Sequence, residues 1–148
     1  MIWYIILIQS VLSYKLLDYD HIVSRIQHLN STCEALTVST GEERYNIATP
    51  DKCEGCQHYI LTLSLADEDA PQVYFSGELH GDERLGPLVL IELAEFLCDF
   101  YNKDEWVNRL VSTRRIVMTP MTNVQGFKNN HRVTFISGRN NKRRESGP

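Results

Sequence analysis

The sequence predicts an α/β fold, a central sheet flanked by helices, on three observations. Short runs of β-branched, aromatic and aliphatic residues at Ala35 to Thr40, Tyr59 to Leu65, Val73 to Phe75 and Arg115 to Met121 have the length and composition of strands. Asp20 to Leu29 and Pro87 to Tyr101 instead repeat apolar residues at helical spacing. Gln72 to Pro87 joins the two patterns: a buried strand that stops at Gly77, a loop dense in polar groups, and Gly86-Pro87 opening a helix. Ligand crevices in open α/β sheets lie outside the carboxyl ends of strands, in loops of this kind.

In chain order, Met1 to Ser13 is almost wholly apolar. The run is too short to span a bilayer, and Val11 with Ser13 supplies a small-residue cleavage pattern, so residues 1–13 read as a signal peptide. No Lys or Arg precedes the run, which leaves a buried N-terminal strand as the alternative. The helix from Asp20 to Leu29, capped by Asp18 or Asp20, sets Ile22, Ile26 and Leu29 on one face. His21 and His28 on it are seven positions apart and read as solvated histidines rather than ligands of one metal. Asn30-Ser31-Thr32 is a glycosylation sequon at the helix end.

The strand Ala35 to Thr40 leads into a polar loop through Gly41 and Pro50 to Cys53-x-x-Cys56. The even count of four cysteines fits an oxidising compartment. A small disulfide-tied loop is preferred to a zinc or redox reading of Cys53 and Cys56, with Cys33 as a further partner and Cys98 as a buried free thiol. Tyr59 to Leu65 alternates with a period of two, giving one apolar face, and Asp67 to Pro71 reads as an exposed turn.

Pro87 to Tyr101 is the strongest helical pattern, with Leu90, Leu93, Ala94, Leu97 and Tyr101 inward and Glu92, Glu95 and Asp99 on a solvated face. A shorter helix follows from Asp104 to Val111. Arg115 to Met121 reads as an interior strand ending in Pro120 and the turn Asn123-x-x-Gly126-Phe127. Beyond Phe127, asparagines argue for an extended loop.

At 148 residues one domain is the expectation. A formal net charge of -4 gives no general electrostatic reason to bind nucleic acid. The basic run from Arg132 to Arg144 reads as a solvated loop.

The chemistry concentrates in Glu78, His80, Asp82 and Glu83. A neutral imidazole and a carboxylate three positions apart in one tight loop can face a single cation, and zinc suits that donor mixture. Spacing alone does not separate a ligand pair from a hydrogen-bonded loop pair.

Ser-Gly-Glu-Leu-His80-Gly-Asp-Glu83-Arg-Leu-Gly-Pro, followed at the right separation by Arg115-Ile-Val-Met-Thr-Pro-Met-Thr-Asn123-Val-Gln-Gly126-Phe127, resembles the zinc metallocarboxypeptidase family, carboxypeptidase A-like in the broad sense. The resemblance runs from about Asp20 to the end. It is specific in the first motif and looser in the second, where Val124-Gln125 replaces Pro-Asp. It implies a carboxypeptidase-like central mixed sheet flanked by helices, and His80 and Glu83 as ligands of one zinc ion. Arg143, with Arg144 beside it, is the choice for the arginine that polarises the scissile carbonyl. The second zinc histidine, the Asn-Arg pair, the capping tyrosine and the general-base glutamate of the family lie downstream of this region. His131, in a polar loop, is a poor substitute for the missing ligand. Residues 14–148 are therefore expected to form an incomplete, N-terminal part of a metallocarboxypeptidase domain, inactive alone, its third zinc ligand absent from the chain.

What the resemblance implies is a hydrolase acting on the C-terminus of a peptide or protein; the apolar leader and the cysteines make it secreted or secretory-pathway with no stable membrane insertion after signal cleavage, and the charge gives no nucleic-acid partner. Two other readings stand beside it. Related acylamino-acid deacylases share the His-x-x-Glu motif, and a non-catalytic secreted binding protein on half the scaffold is the competing class.

Overall fold

The computed structural model describes residues 16–46 and 53–133. The signal-peptide reading of residues 1–13 and the assignments to Arg143 and Arg144 fall outside those residues. The chain order is α1 (Tyr19–Thr32), β1 (Leu36–Thr40), α2 (Gly41–Tyr45), β2 (Tyr59–Leu63), β3 (Gln72–Ser76), α3 (Leu85–Phe100), α4 (Glu105–Thr113), β4 (Arg115–Thr119) and α5 (Val124–Asn129).

The four strands form one mixed sheet in the order β1-β2-β4-β3. β2 is antiparallel to both β1 and β4, and β3 runs parallel to β4. The register sorts side chains between two faces, because successive residues of a strand point to opposite sides. Leu36, Leu63, Ile116 and Val73 align across the sheet on the inner face, with Leu61, Met118 and Phe75 two positions along. Thr37, Thr62, Val117 and Tyr74 align on the other face.

Helices α1 and α3 supply the apolar stripe that meets the inner face. Ile22, Ile26 and Leu29 of α1 and Leu90, Ile91, Ala94 and Leu97 of α3 join Leu61, Leu63, Ile116 and Met118 in one buried core. α1 starts where Asp18 accepts from the His21 backbone N–H at 2.9 Å, satisfying one of the donors a helix start leaves open. Residues Glu92 and Glu95 are not a freely solvated face, as the sequence suggested. Arg25 of α1 donates from Nε to Glu95 at 2.6 Å and from Nη2 to Glu92 at 2.7 Å, and Nη2 also meets the second Glu95 oxygen. The pattern of one helix shows which side is apolar but not which cation its polar side will meet.

Cysteine pairing corrects a second expectation. Cys98 is bonded to Cys33, with Cα atoms 5.6 Å apart, tying the end of α1 to the last turns of α3. Cys53 and Cys56 form the expected small loop by themselves. That loop is held from both sides: Tyr19 Oη donates to Gly55 O at 3.2 Å and accepts from Gln57 N at 3.0 Å, and Lys128 Nζ donates to Glu54 O at 2.8 Å.

Smaller differences have local causes. Thr40 and Glu43 complete a reciprocal capping box, so the polar stretch after β1 opens with the short helix α2 rather than a loop. Asn123 caps α5 by accepting from Gly126 N at 3.1 Å, which turns the predicted turn into a short helix and buries Phe127 fully. Asn30 to Thr32 occupy the last turn of α1 instead of a loop.

The largest correction concerns β3, read from sequence as buried. All five of its residues are exposed, because β3 lies at the outside of the sheet and, among the described residues, only β4 pairs with it. Val73, Tyr74 and Phe75 stand 39%, 59% and 39% exposed. An apolar strand with one unpaired edge is a template for association. The 148-residue chain is therefore expected to self-associate with rising concentration in size-exclusion chromatography, and Val73→Lys to shift it toward monomer; a wild-type monomer at all concentrations would refute this. Opening the 65-residue loop closed by Cys33 and Cys98 with Cys98→Ser should cost about 4 kcal/mol on chain-entropy grounds. Chemical denaturation with unchanged slope checks it, and an unchanged midpoint would count against a formed bond.

Candidate metal centre

β3 and β4 run parallel with Ser76 beside Thr119, so the segments that follow them leave the sheet at the same edge. Gly77 N donates to Thr119 O at 3.0 Å, continuing the pairing one residue beyond the strand. The segment from Glu78 to Arg84 then lies directly on the turn between β4 and α5. The contact is backbone on backbone: a Cβ added to Gly81 would overlap Gly126 and the His131 carbonyl. Only glycine at position 81 permits that approach, while a Cβ on Gly126 would instead meet the Asn123 side chain and the His131 carbonyl. Gly81 N also donates to Arg132 O at 3.2 Å.

Within the loop Glu83 N donates to His80 O at 2.9 Å, closing a tight turn. That turn brings together the two residues the motif singled out: His80 Nδ1 and Glu83 Oε1 are 2.8 Å apart. Their side chains are 33% and 50% exposed, so both donor atoms face a solvent-open edge. A donor set of imidazole nitrogen and carboxylate oxygen converging on one point fits a zinc ion, which would take the place of the contact between them. Among the described residues no group of three or more His, Cys, Asp or Glu could hold a metal. His131, exposed, takes part through its backbone alone, donating from N to Gly126 O at 2.8 Å.

Asp82 and Glu83 face Arg132. Its Nη1 lies 3.4 and 3.5 Å from the Asp82 oxygens and 3.7 Å from Glu83 Oε1. At these separations, with all three side chains largely in water, the arginine offsets the local negative charge rather than fixing geometry. Arg84 lies over the Phe127 ring at 4.1 Å and donates to Asn130 Oδ1 at 2.9 Å, a second link between the loop and α5.

Glu78 is the residue whose role the sequence left open. It is 1% exposed, and its Oε2 accepts from Asn123 N at 2.9 Å. Its other oxygen is buried with no partner. Burial pushes the carboxyl up to about 7, against the lowering pull of the Asn123 N–H and of Arg84. A protonated acid can hold the first oxygen against the Asn123 N–H without leaving an unpaired charge in the interior. No local pattern marks Glu78 as buried; the signal is its placement one residue past the strand end, facing a second motif 45 positions away.

On the opposite face from the core, Tyr74 Oη, Thr119 Oγ1, Thr122 Oγ1 and Ser76 Oγ form a chain of contacts of 2.7, 3.1 and 2.7 Å. His58, half-buried beside Thr122, has its imidazole pushed down by burial.

The Glu78 shift fixes a pH dependence. Its folded value near 7 lies above the ordinary 4.5, so the folded state holds more protons than the unfolded one between those values and stability falls as pH rises through that window. The metal-free chain should lose stability from pH 4.5 to about 7, and Glu78→Gln should flatten that slope. Parallel slopes for the two proteins in urea titrations at several pH values would contradict a buried, neutral Glu78.

Comparison with known proteins gives one consistent answer. The catalytic chain of mouse carboxypeptidase N is 30% identical over 133 residues, covering 83% of this chain and 28% of that protein. Human carboxypeptidase D is 36% identical over 94 residues, covering 60% of this chain and 7% of that one. The chain thus spans little more than a quarter of the length of the carboxypeptidase N relatives it matches. In fold it is similar to a carboxypeptidase A-like protein of Shewanella denitrificans, with a TM-score of 0.66 at 16% identity over 82% of this chain and 30% of that chain. Thrombin activatable fibrinolysis inhibitor superposes with a TM-score of 0.61 at 17% identity, over 78% of this chain and 27% of that one. With the family profile described as zinc carboxypeptidase matching residues 28–147, the chain belongs to the zinc carboxypeptidase family.

Proposed function

We propose that this chain forms the metal-binding portion of a zinc-dependent carboxypeptidase that hydrolyses C-terminal peptide bonds of peptides or proteins in the secretory pathway. The observation that carries the reading is the convergence of His80 Nδ1 and Glu83 Oε1, 2.8 Å apart, on a loop at the carboxyl ends of two parallel strands. His80 and Glu83 hold the metal, which when bound supplies Lewis acidity and a water of lowered pKa. Glu78 and the Gly81 contact hold the loop in the conformation that aims both donors at one point. Arg132 offsets the charge of Asp82 and Glu83 at the rim. Arg143 is assigned to the scissile carbonyl, where a fixed guanidinium stabilises the oxygen as it becomes negative. The relatives it matches are named carboxypeptidases, which supports a peptide substrate over an N-acyl amino acid. Two disulfides support passage through an oxidising compartment.

Two protein ligands make a weak site, since catalytic zinc is ordinarily held by three. The 148-residue chain should bind zinc reversibly, and His80→Ala or Glu83→Ala should each weaken it by roughly a hundredfold, at or beyond the upper end of what losing an outer-shell partner does. Calorimetric titration of the three proteins, with circular dichroism to confirm folding, measures this. Affinity indifferent to both substitutions would remove the metal centre from this loop. The same chain should release C-terminal residues from peptides negligibly, and zinc-dependent release by it would overturn that expectation.

A further inference from the structure

The sequon Asn30-Ser31-Thr32 is unused by the metal chemistry, and the structure gives it a setting. All three residues are exposed in the last turn of α1, immediately before Cys33. β1 and β4 are both antiparallel to β2, so β1 runs parallel to β3 and β4. Leu36, just after the sequon, aligns through Leu63 and Ile116 with Val73, at the amino end of those parallel strands. His80 and Glu83 follow their carboxyl end. Asn30 and the metal loop therefore occupy opposite poles of the sheet.

We propose that Asn30 carries an N-linked oligosaccharide, attached before α1 and the Cys33–Cys98 bond have closed. The donor is a polyisoprenyl-diphosphate-linked oligosaccharide. The bond from its anomeric carbon to the phosphate oxygen breaks, a bond from that carbon to Asn30 Nδ2 forms, the lipid diphosphate leaves with the bonding pair, and one amide proton passes to a base of the transferase. The timing follows from the helix. A sequon is read through its asparagine amide and the hydroxyl two positions on, and in a helix those two side chains point about 200° apart. In the folded protein Thr32 Oγ1 is moreover turned back, donating to His28 O at 2.9 Å. The turn is locked by Cys33 N donating to Leu29 O at 2.9 Å and by the disulfide. The folded sequon is thus closed to a transferase that the nascent, extended segment satisfies. Placed away from the metal pole, the glycan shields the end of α1 without covering the metal loop.

The proposal rests on the secretory reading of the chain, and the experiment separates the two. The protein is expressed with its own leader in a eukaryotic cell line, and peptides spanning Asn30 and the cysteines are analysed by mass spectrometry with and without peptide N-glycosidase. Asn30 should be recovered as aspartate after the enzyme. Asn30→Gln and Thr32→Ala should abolish the modification, whereas Ser31→Ala, at the position the sequon leaves free, should retain it. Cys98→Ser, which delays closure, should be occupied at least as fully as wild type; a fall in occupancy would overturn the timing. Bare Asn30 in molecules whose Cys33–Cys98 bond has formed would overturn the glycan alone. Bare Asn30 with free thiols would overturn the glycan together with the secretory reading.

Discussion

The candidate site depends on a place where two backbones touch. Gly81 lies against Gly126 and the His131 carbonyl so closely that it leaves no room for a side chain of its own at the contact. Because that contact is main chain on main chain, rotamer changes cannot relax it, and the loop carrying His80 and Glu83 inherits the rigidity of β4 and α5. Glu78 fastens the same seam from below through the Asn123 N–H. Asn123 in turn caps α5 through Gly126 N, so the residue that starts the helix also positions the loop carrying His80 and Glu83. Two motifs some forty positions apart are therefore one structural unit.

That unit sits on a sheet whose two sides differ in how firmly they are held. On the inner face α1 and α3 are joined to each other by the Cys33–Cys98 bond at one end and by Arg25 with Glu92 and Glu95 along their length. Toward β3 nothing among the described residues plays that part. Val73 and Phe75 follow the inner face of the sheet out to an edge where they are more than a third exposed. The loop carrying His80 and Glu83 is attached to this less supported side, directly after β3. Its geometry consequently relies on the glycine seam and on Glu78 more than on burial of the strand that leads into it.

Local order was legible in the sequence wherever it is written in short spacings. The periodicity of Ile22, Ile26 and Leu29 gave α1, the strand runs gave β1, β2, β3 and β4 within about two residues, and His-x-x-Glu gave the pair now seen in contact. What escaped depends on partners distant in the chain. An apolar run such as Val73 to Phe75 has the composition of a central strand, but its position in the sheet is set by what pairs with it. The pairing of Cys98 with Cys33 is likewise invisible to spacing, since four cysteines permit three connectivities. Glu78 was one of four polar residues in a loop until Asn123 was placed against it. Arg132 looked like part of a basic tail until the turn after α5 returned it to Asp82.

The geometry of the candidate loop separates two things that a three-ligand centre usually hides. Convergence of His80 and Glu83 is achieved by local chain geometry: one turn closed by Glu83 N on His80 O, and one seam fixed by Gly81. Affinity for the cation is a different quantity, because each added ligand contributes binding free energy only if the scaffold already holds it in place. A loop pre-formed in this way presents an imidazole nitrogen and a carboxylate oxygen with little left to order. The carboxylate of Glu78 shows how that pre-formation is maintained. Deprived of a partner for one oxygen, it is most comfortable neutral, and the Asn123 N–H that meets its other oxygen also reaches its backbone carbonyl, keeping the loop seated.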